Sequence, residues 1–410
     1  MLYNNVNEKI DSMRDIALEL QQELTLRVSI PPEMGGDGEF VRADFLVDWL
    51  GRKGFDSVER IDVHDSRVST GLRPNIVASL TGKDTRSCTW IVTHLDTVPA
   101  GDQTAWNTPP HTAVEKNGLV YGRGTEDNQQ GMISSILALL ALRDLKLVPQ
   151  RTLKLLFVAD EEAGSKYGIK HLIKYRPELF RPEDQFIIPD GGALDGSELQ
   201  IAEKNIYVLK FTTTGRQCHA SVPGKGLNAF TAGSQLVLAL EELNSRFAEI
   251  TDPKFDPPVS TFVPTRKEAN VSATNVLPGE DQFSLDCRIM PALDFSEVAA
   301  EIDRIVAEIE RQRGVKIVWE VVNQNTSRPT PADDPLVTRL GQAVESVTAV
   351  KTKPVGIGGG TVAGNLRNLG HAAVVWSTSS QTAHMPNEYS PLANLLNDAK
   401  VFCEFCLRAE

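Results

Sequence analysis

Four short apolar runs stand out along the first half of the chain: "NIVASLTG" (75–82), "TWIVTHLD" (89–96), "TLKLLFVAD" (152–160) and "DQFIIPDGG" (184–192). Segments with helical spacing of apolar positions, at 129–143 and 165–175, separate them. Strands alternating with helices in this way predict a mostly parallel sheet with helices on both faces. Upstream, "VNEKIDSMRDIALELQQELTLRV" (6–28) reads as one amphipathic helix, and "VRADFLVDWLGRKG" (41–54) as a second that stops at Gly54. From about residue 206 the pattern changes. "YVLKFTTTGR" alternates as a strand, 227–248 is a long helix, "QFSLDCRIMP" another strand, 295–312 another helix and "VKIVWEVVN" a closing strand. That predicts a small α+β sandwich over 206–322, inserted into a first domain that spans 1–205 and resumes over 323–410 with helix 334–348 and the run "HAAVVWSTS". The expected fold is α/β, with a discontinuous main domain.

Composition narrows the partners. The 410 residues are 41% hydrophobic, as a globular chain requires, and the net charge of −12 argues against nucleic acid or an anionic membrane as the main partner. A small substrate fits better. No apolar run reaches the roughly 20 residues of a membrane span, and the first thirty residues lack the basic-then-apolar order of a signal peptide, so a cytoplasmic protein is expected. Five cysteines, an odd count, imply no disulfide framework. Cys403 and Cys406 form a C-x-x-C within helical periodicity, which reads as a buried helix face rather than a redox or metal site.

The chemistry gathers where strands end. Ligands of open α/β sheets collect at the carboxyl ends of strands, and there the chain places Asp96, Asp127, Glu161, Glu162 and Asp190, with His384 far downstream. In "THLD", His94 and Asp96 are two apart on extended backbone and share a side, so the imidazole can bind a metal that the carboxylate orients. Asp127 lies in the Gly-bounded loop "YGRGTEDNQQG", where one carboxylate can face two cations. In "VADEEAG" the adjacent Glu161 and Glu162 point different ways, so one can bind metal and the other act as general base. Two buried neighbouring carboxylates without a cation would be costly. Two histidines and several carboxylates make a mixed N/O set suited to zinc or a similar divalent ion.

The colinear series "THLDTVP", "GRGTEDNQQG", "DEEAGS", "PDGG", "GRQCHAS", "NVLPGE", "DCRIMP", "GGGT" and "AHMPNE", from about 75 to 390, resembles the dinuclear-zinc amidohydrolase and exopeptidase family. That family includes succinyl-diaminopimelate desuccinylase, acetylornithine deacetylase, aminoacylase, carboxypeptidase G and carnosinase. The resemblance implies a zinc-exopeptidase-like catalytic domain with an inserted lid and dimerisation domain, and two divalent ions, zinc or else cobalt or manganese. It further implies His94 and Asp190 on one ion, Glu162 and His384 on the other, Asp127 as the bridge, Asp96 as the orienting residue and Glu161 as general base. His219 matches the lid histidine that polarises the scissile carbonyl, often across the dimer. Asn275 and Arg288 match positions that hold a substrate carboxylate, and Gly360 and Thr361 lie in a pocket-lining loop. One departure stands out: Asn128, Gln129 and Gln130 follow the bridging aspartate where many members carry a lysine and paired glycines. The implied activity is hydrolysis of an N-acyl amino acid or short peptide, with the desuccinylase or deacetylase branch ahead of a dipeptidase or carboxypeptidase. A non-catalytic, peptide-binding or assembly relative would be expected to lose Glu161 or a ligand, and this chain keeps them all.

Overall fold

The computed structural model describes residues 2–408, with side chains from Asn5 onward. The chain divides into two compact units, one of Met1–Ile201, Thr330–Val355 and Thr361–Glu410, the other of Ala202–Pro329 and Gly356–Gly360.

The first unit is built on an eight-stranded sheet in the spatial order Ser57–His64, Leu72–Leu80, Arg151–Val158, Asp84–His94, Gln185–Ile188, Ala372–Val375, Glu198–Glu203 and Lys353–Ile357. Its four central strands, from Arg151–Val158 to Ala372–Val375, run parallel, and antiparallel pairs flank them. Parallel strands are covered on both faces and therefore read as continuous apolar runs. Trp90, Val92, Leu156, Val158, Phe186 and Ile188 pack into one core cluster on this account. Trp90 is fully buried, stacks on Phe186 and donates its indole N–H to Asp184 at 2.8 Å, so its one polar atom is satisfied inside. Truncating it to alanine would cost about 3–5 kcal/mol. Helix Gln129–Asp144 is buried along nearly its whole length, packed against helix Leu392–Leu407.

The register sets the site. His94 pairs with Val158 at the end of adjacent parallel strands, and Ile188 closes the next strand, so the chain leaves at 95–97, 159–162 and 189–191 along one edge of the sheet.

The second unit has a four-stranded antiparallel sheet in the order Thr261–Lys267, Glu280–Ile289, Asn205–Thr214 and Lys316–Asn325. Glu280–Ile289 alternates strictly between buried and less buried positions, the mark of a sheet covered on one face. Helices Ala229–Arg246 and Phe295–Arg313 supply the cover, with Leu236, Leu240, Val298 and Ile302 against Phe211 and Leu285. Asp294 caps the second helix by accepting from Ser296 N, and Gly314, at φ +67°, ends it.

Two expectations need correcting. The helix expected over 6–28 is two, Leu2–Asp11 and Arg14–Leu26, because the Ser12 hydroxyl turns back onto the Lys9 carbonyl and breaks the ladder. The helix expected over 165–175 begins only at Ile169, since Ser165 sits in the left-handed region at φ +63°. Cys403 and Cys406 are buried free thiols in helix Leu392–Leu407, as the periodicity indicates. Among the described residues, no helix is long and apolar enough to cross a membrane.

Candidate metal centre

At the carboxyl edge of the parallel strands the first unit brings together seven residues singled out in the sequence. His94, 2% exposed, ends its strand with Nδ1 at 3.0 Å from the Asp96 backbone carbonyl and Nε2 at 2.8 Å from Asp127 Oδ1 and 3.4 Å from Asp190 Oδ1. A carbonyl only accepts, so Nδ1 carries a proton, which leaves Nε2, on the side of the carboxylates, as the atom a metal would take. The Asp96 carboxylate also reaches Nδ1, at 3.6 Å, but its main work lies elsewhere: its two oxygens accept the backbone N–H groups of Glu161 (3.0 Å) and Glu162 (2.9 Å). It therefore fixes the acidic loop as well as the ring.

Across the cluster, His384 Nε2 lies 3.1 Å from Asp127 Oδ2 and 3.1 Å from Glu162 Oε2. The two oxygens of Asp127 thus face one imidazole each. Ligand-type atoms of His94, Glu161 and Asp190 lie within 4.8 Å of one another, and so do those of His94, Asp127 and Glu162. Asn128 donates to Asp190 Oδ1 at 2.7 Å and to the Pro189 carbonyl at 2.8 Å, which turns the Asp190 carboxylate inward. Gly124 approaches at φ +87°, where a Cβ would press into Thr97.

The electrostatics show a donor set short of positive charge. Burial and the Asp190 charge push Glu161 well above the usual carboxylate range, and burial raises Glu162 and Asp190 as well. Burial opposes a charged His94, yet Asp190, Asp127 and Asp96 outweigh it and raise the imidazole well above its ordinary value. Hydrogen bonds to Asp127 and Glu162 raise His384 to about 10. Burial likewise disfavours the Asp127 carboxylate, but hydrogen bonds from His384 and His94 hold it below its usual range. One buried and four half-buried carboxylates around two imidazoles, all offering N or O atoms, suit divalent cations.

Two residues that sequence reasoning quoted without assigning a role complete the frame. Glu126 accepts from Ser379 Oγ (2.8 Å), Gln381 N (2.9 Å), Thr382 N (2.7 Å) and Thr382 Oγ1, all in the segment leading to His384. Glu388, just past His384, accepts from Gly124 N, Glu126 N and Asp127 N, each at 3.0 Å, and from Arg123 Nη1. Each loop thus grips the other through a carboxylate. Further back, Glu39 and Asp160 share Arg73, and Asp160 N–H donates to Glu39 Oε1 at 3.1 Å.

Of the remaining predicted residues, His219, Asn275, Arg288 and Gly360 belong to the second unit and Thr361 to the first. His219 and Asn275 are neighbours in the second unit, where His219 pairs with Val276 and Ala220 N donates to the Asn275 carbonyl at 2.8 Å. His219 is exposed, and its Nδ1 accepts from Ser221 N at 3.1 Å. Arg288 gives Nε and Nη2 to Asp286 (2.7 and 3.1 Å) and Nη1 to the Gly358 carbonyl (3.0 Å), two residues before Gly360. Thr361, in the first unit, caps helix Val362–Asn368 through Ala363 N.

Carboxylates and imidazoles converging at the carboxyl edge of a parallel sheet define a site suited to divalent metal ions. The profile of Peptidase family M20/M25/M40 matches residues 90–408, and the chain belongs to that family. It is 36% identical to a metallohydrolase of Methanococcus maripaludis over 96% of this chain and 99% of that one. It is 26% identical to the succinyl-diaminopimelate desuccinylase of Coxiella burnetii over 74% of this chain and 79% of that one. Its fold is similar to human carnosine dipeptidase 1, with a TM-score of 0.77, 18% identity and coverage of 99% and 98% of the two chains.

Proposed function

We propose that the protein hydrolyses the amide bond of an N-acyl amino acid or short peptide bearing a free carboxylate, using two divalent cations. The observation that carries the reading is Asp127, whose two oxygens each face one imidazole beside Glu162 and Asp190. On this reading His94 and Asp190 hold one ion, Glu162 and His384 the other, and Asp127 both; zinc fits the set, and cobalt or manganese would be accepted. The ions, when bound, polarise the scissile carbonyl and lower the pKa of a water toward neutrality. Glu161 takes the proton from that water and delivers it to the departing amide nitrogen. Asp96 anchors the backbone that carries Glu161 by accepting its N–H.

His219 donates to the developing oxyanion. Because Ser221 N–H donates to Nδ1, the proton of the neutral ring sits on Nε2, free to point at substrate. Asn275 and the Gly360–Thr361 turn hold the substrate carboxylate, and Arg288, bound to the Gly358 carbonyl, steadies that turn. The second unit, expected over 206–322, serves as lid and as the surface of a cytoplasmic homodimer. The similarity to a desuccinylase favours an N-succinyl or N-acetyl amino acid over a dipeptide.

The test is a panel. Purified protein supplied with zinc, cobalt or manganese is incubated with N-succinyl and N-acetyl amino acids and with dipeptides, and the freed amine is measured. Amine release that a chelator and Glu161→Gln both abolish is the expected result. Metal-loaded protein that releases no amine from any member of the panel would refute the reading.

A further inference from the structure

Outside the carboxylate cluster, the first unit carries a groove of about 730 Å³ between the end of strand Ser57–His64, the turn at 164–167 and helix Ile169–Tyr175. None of its nine lining residues is acidic, in a chain with 54 acidic and 42 basic residues. Lys166, Lys170 and Lys174 recur at every fourth position along one wall, and all three are exposed. The last two are one helical turn apart, roughly 6 Å along the axis.

These lysines are free to take a ligand. Among the described residues none has a carboxylate partner: Lys170 donates to the Gly164 carbonyl, and Lys166 and Lys174 lie over the rings of Tyr167 and Tyr175. The nearby acids are already engaged, Glu59 by Arg176 at 3.1 Å and Asp65 and Glu33 by Arg67 at 2.8 and 2.6 Å. The lining of the groove is consequently cationic. Burial and the Lys174 charge lower the pKa of His171 on the same wall. Tyr175 is 58% exposed with His171 against it at 4.6 Å, a flat aromatic face at one end of the lysine row.

We propose that this groove binds a chain of phosphates, inorganic or carried by a nucleotide, and that its occupancy is felt by the loop bearing Glu161 and Glu162. A single carboxylate would satisfy one lysine; linked phosphates present several charges to the whole row, and lysine binds them as point charges without the planar fit arginine demands.

The coupling runs through named bonds. Tyr167 N donates to Asp160 Oδ2 at 3.0 Å, and the Asn75 side chain spans Ala159 N (3.1 Å) and the Tyr167 carbonyl (3.0 Å). Arg73 lies 5.2 Å from the Tyr167 ring and also contacts Asp160. These bonds tie the two ends of the 159–167 loop into one piece, with the two glutamates on one side and the lysine groove on the other. Gly164 (φ +104°) and Ser165 (φ +63°) form the bend between them. A ligand that favours one position of this piece shifts its population. This second half rests on the hydrolase reading.

Tripolyphosphate and ATP are titrated by calorimetry, without substrate, into the metal-loaded protein and into a variant carrying Lys166→Gln, Lys170→Gln and Lys174→Gln. Both share one metal centre, so chelation contributes equally and the difference reports the groove. The expected result is one-to-one binding that weakens at least tenfold in the variant and falls with salt. Equal affinity in the two proteins, or no binding to either, overturns the proposal. Similar affinity for both anions assigns the site to the phosphate chain. Tighter ATP binding that Tyr175→Ala abolishes assigns it to a nucleotide. Where an acylated amino acid is turned over, groove occupancy should change kcat/KM at least threefold in the wild type and not in the variant. Binding with unchanged kcat/KM overturns the coupling. Calorimetry needs no turnover, so a failure of the hydrolase reading would leave the binding result standing.

Discussion

Glu126→Gln tests whether the grip between the two loops sets the position of His384. The carboxylate is 8% exposed; Oε1 takes Ser379 Oγ and Gln381 N, and Oε2 takes Thr382 N and Thr382 Oγ1. Glutamine keeps the shape but offers one oxygen and one NH₂. A hydroxyl can rotate to accept from that NH₂; a backbone N–H cannot, so one amide of the loop is left facing a donor. The unsatisfied amide costs roughly 1–3 kcal/mol, and the surviving bonds lose their charge assistance, for a total of about 2–4 kcal/mol. Gln381 (φ +60°) and His384 (φ +63°) both occupy the left-handed region, where a non-glycine residue costs about 1–3 kcal/mol and persists only when its surroundings enforce it. The lost restraint is as large as the strain it holds, so His384 should leave its place opposite Asp127 for much of the time. Chelator competition on the purified variant should then show one of two ions weakened roughly 10–100-fold, the scale of losing a group that orients a ligand, and the other little changed. Two ions held as tightly as in the wild type would refute the reasoning.

Glu161→Gln should lower turnover by about 10²–10⁴ with metal retained, whereas Glu162→Gln should lose metal; the reverse pattern in a metal count and a rate assay would exchange base and ligand. Burial raises Asp398 to about 7 against the donors Gln130 and Thr378. Between about pH 4 and 7 the folded state therefore holds a proton the unfolded chain has lost, and this contribution to stability disappears as pH rises through 7. Asp398→Asn should flatten the fall of Tm between pH 5 and 8, and superimposable profiles would show that Asp398 does not titrate there. If His219 serves the partner's site, mixing Glu161→Gln and His219→Ala chains should restore activity once subunit exchange is verified, because one site of a mixed dimer has both groups. Exchange without rescue excludes service across the dimer.

The sequence displays the central strands and the cluster for the same reason: buried parallel strands are continuous apolar runs, and a carboxylate at such a run's end stands out. Thus Asp96, Glu161, Glu162 and Asp190 are visible beside their strands, whereas Asp127 shows only through its Gly-bounded loop. Ser57–His64, "SVERIDVH", is not, because an edge strand with exposed charges has only half the apolar signal. Lys353–Ile357 carries a proline and a glycine that mask its strand character. The clamps Glu126 and Glu388 are harder still. Their partners are mostly backbone N–H groups more than 250 residues away, and an amide has the same look in every sequence. Glu126 lies beside the predicted bridge and Glu388 inside "AHMPNE", so each position shows, but its task appears only in three dimensions.

The place of strand Ala372–Val375 has a consequence for how the protein is made. It lies between Gln185–Ile188 and Glu198–Glu203, yet it is the last strand of the large sheet to be translated, after the whole of the second unit. A nascent chain that has emerged past residue 203 therefore carries a sheet with a missing slat, its edges open to wrong pairing. The second unit, almost wholly one uninterrupted stretch, can fold in the interval. His94, Asp127, Glu161, Glu162 and Asp190 wait in that half-built edifice until the segment that closes the sheet also brings His384, so the centre is completed by the same stretch of translation that seals the fold.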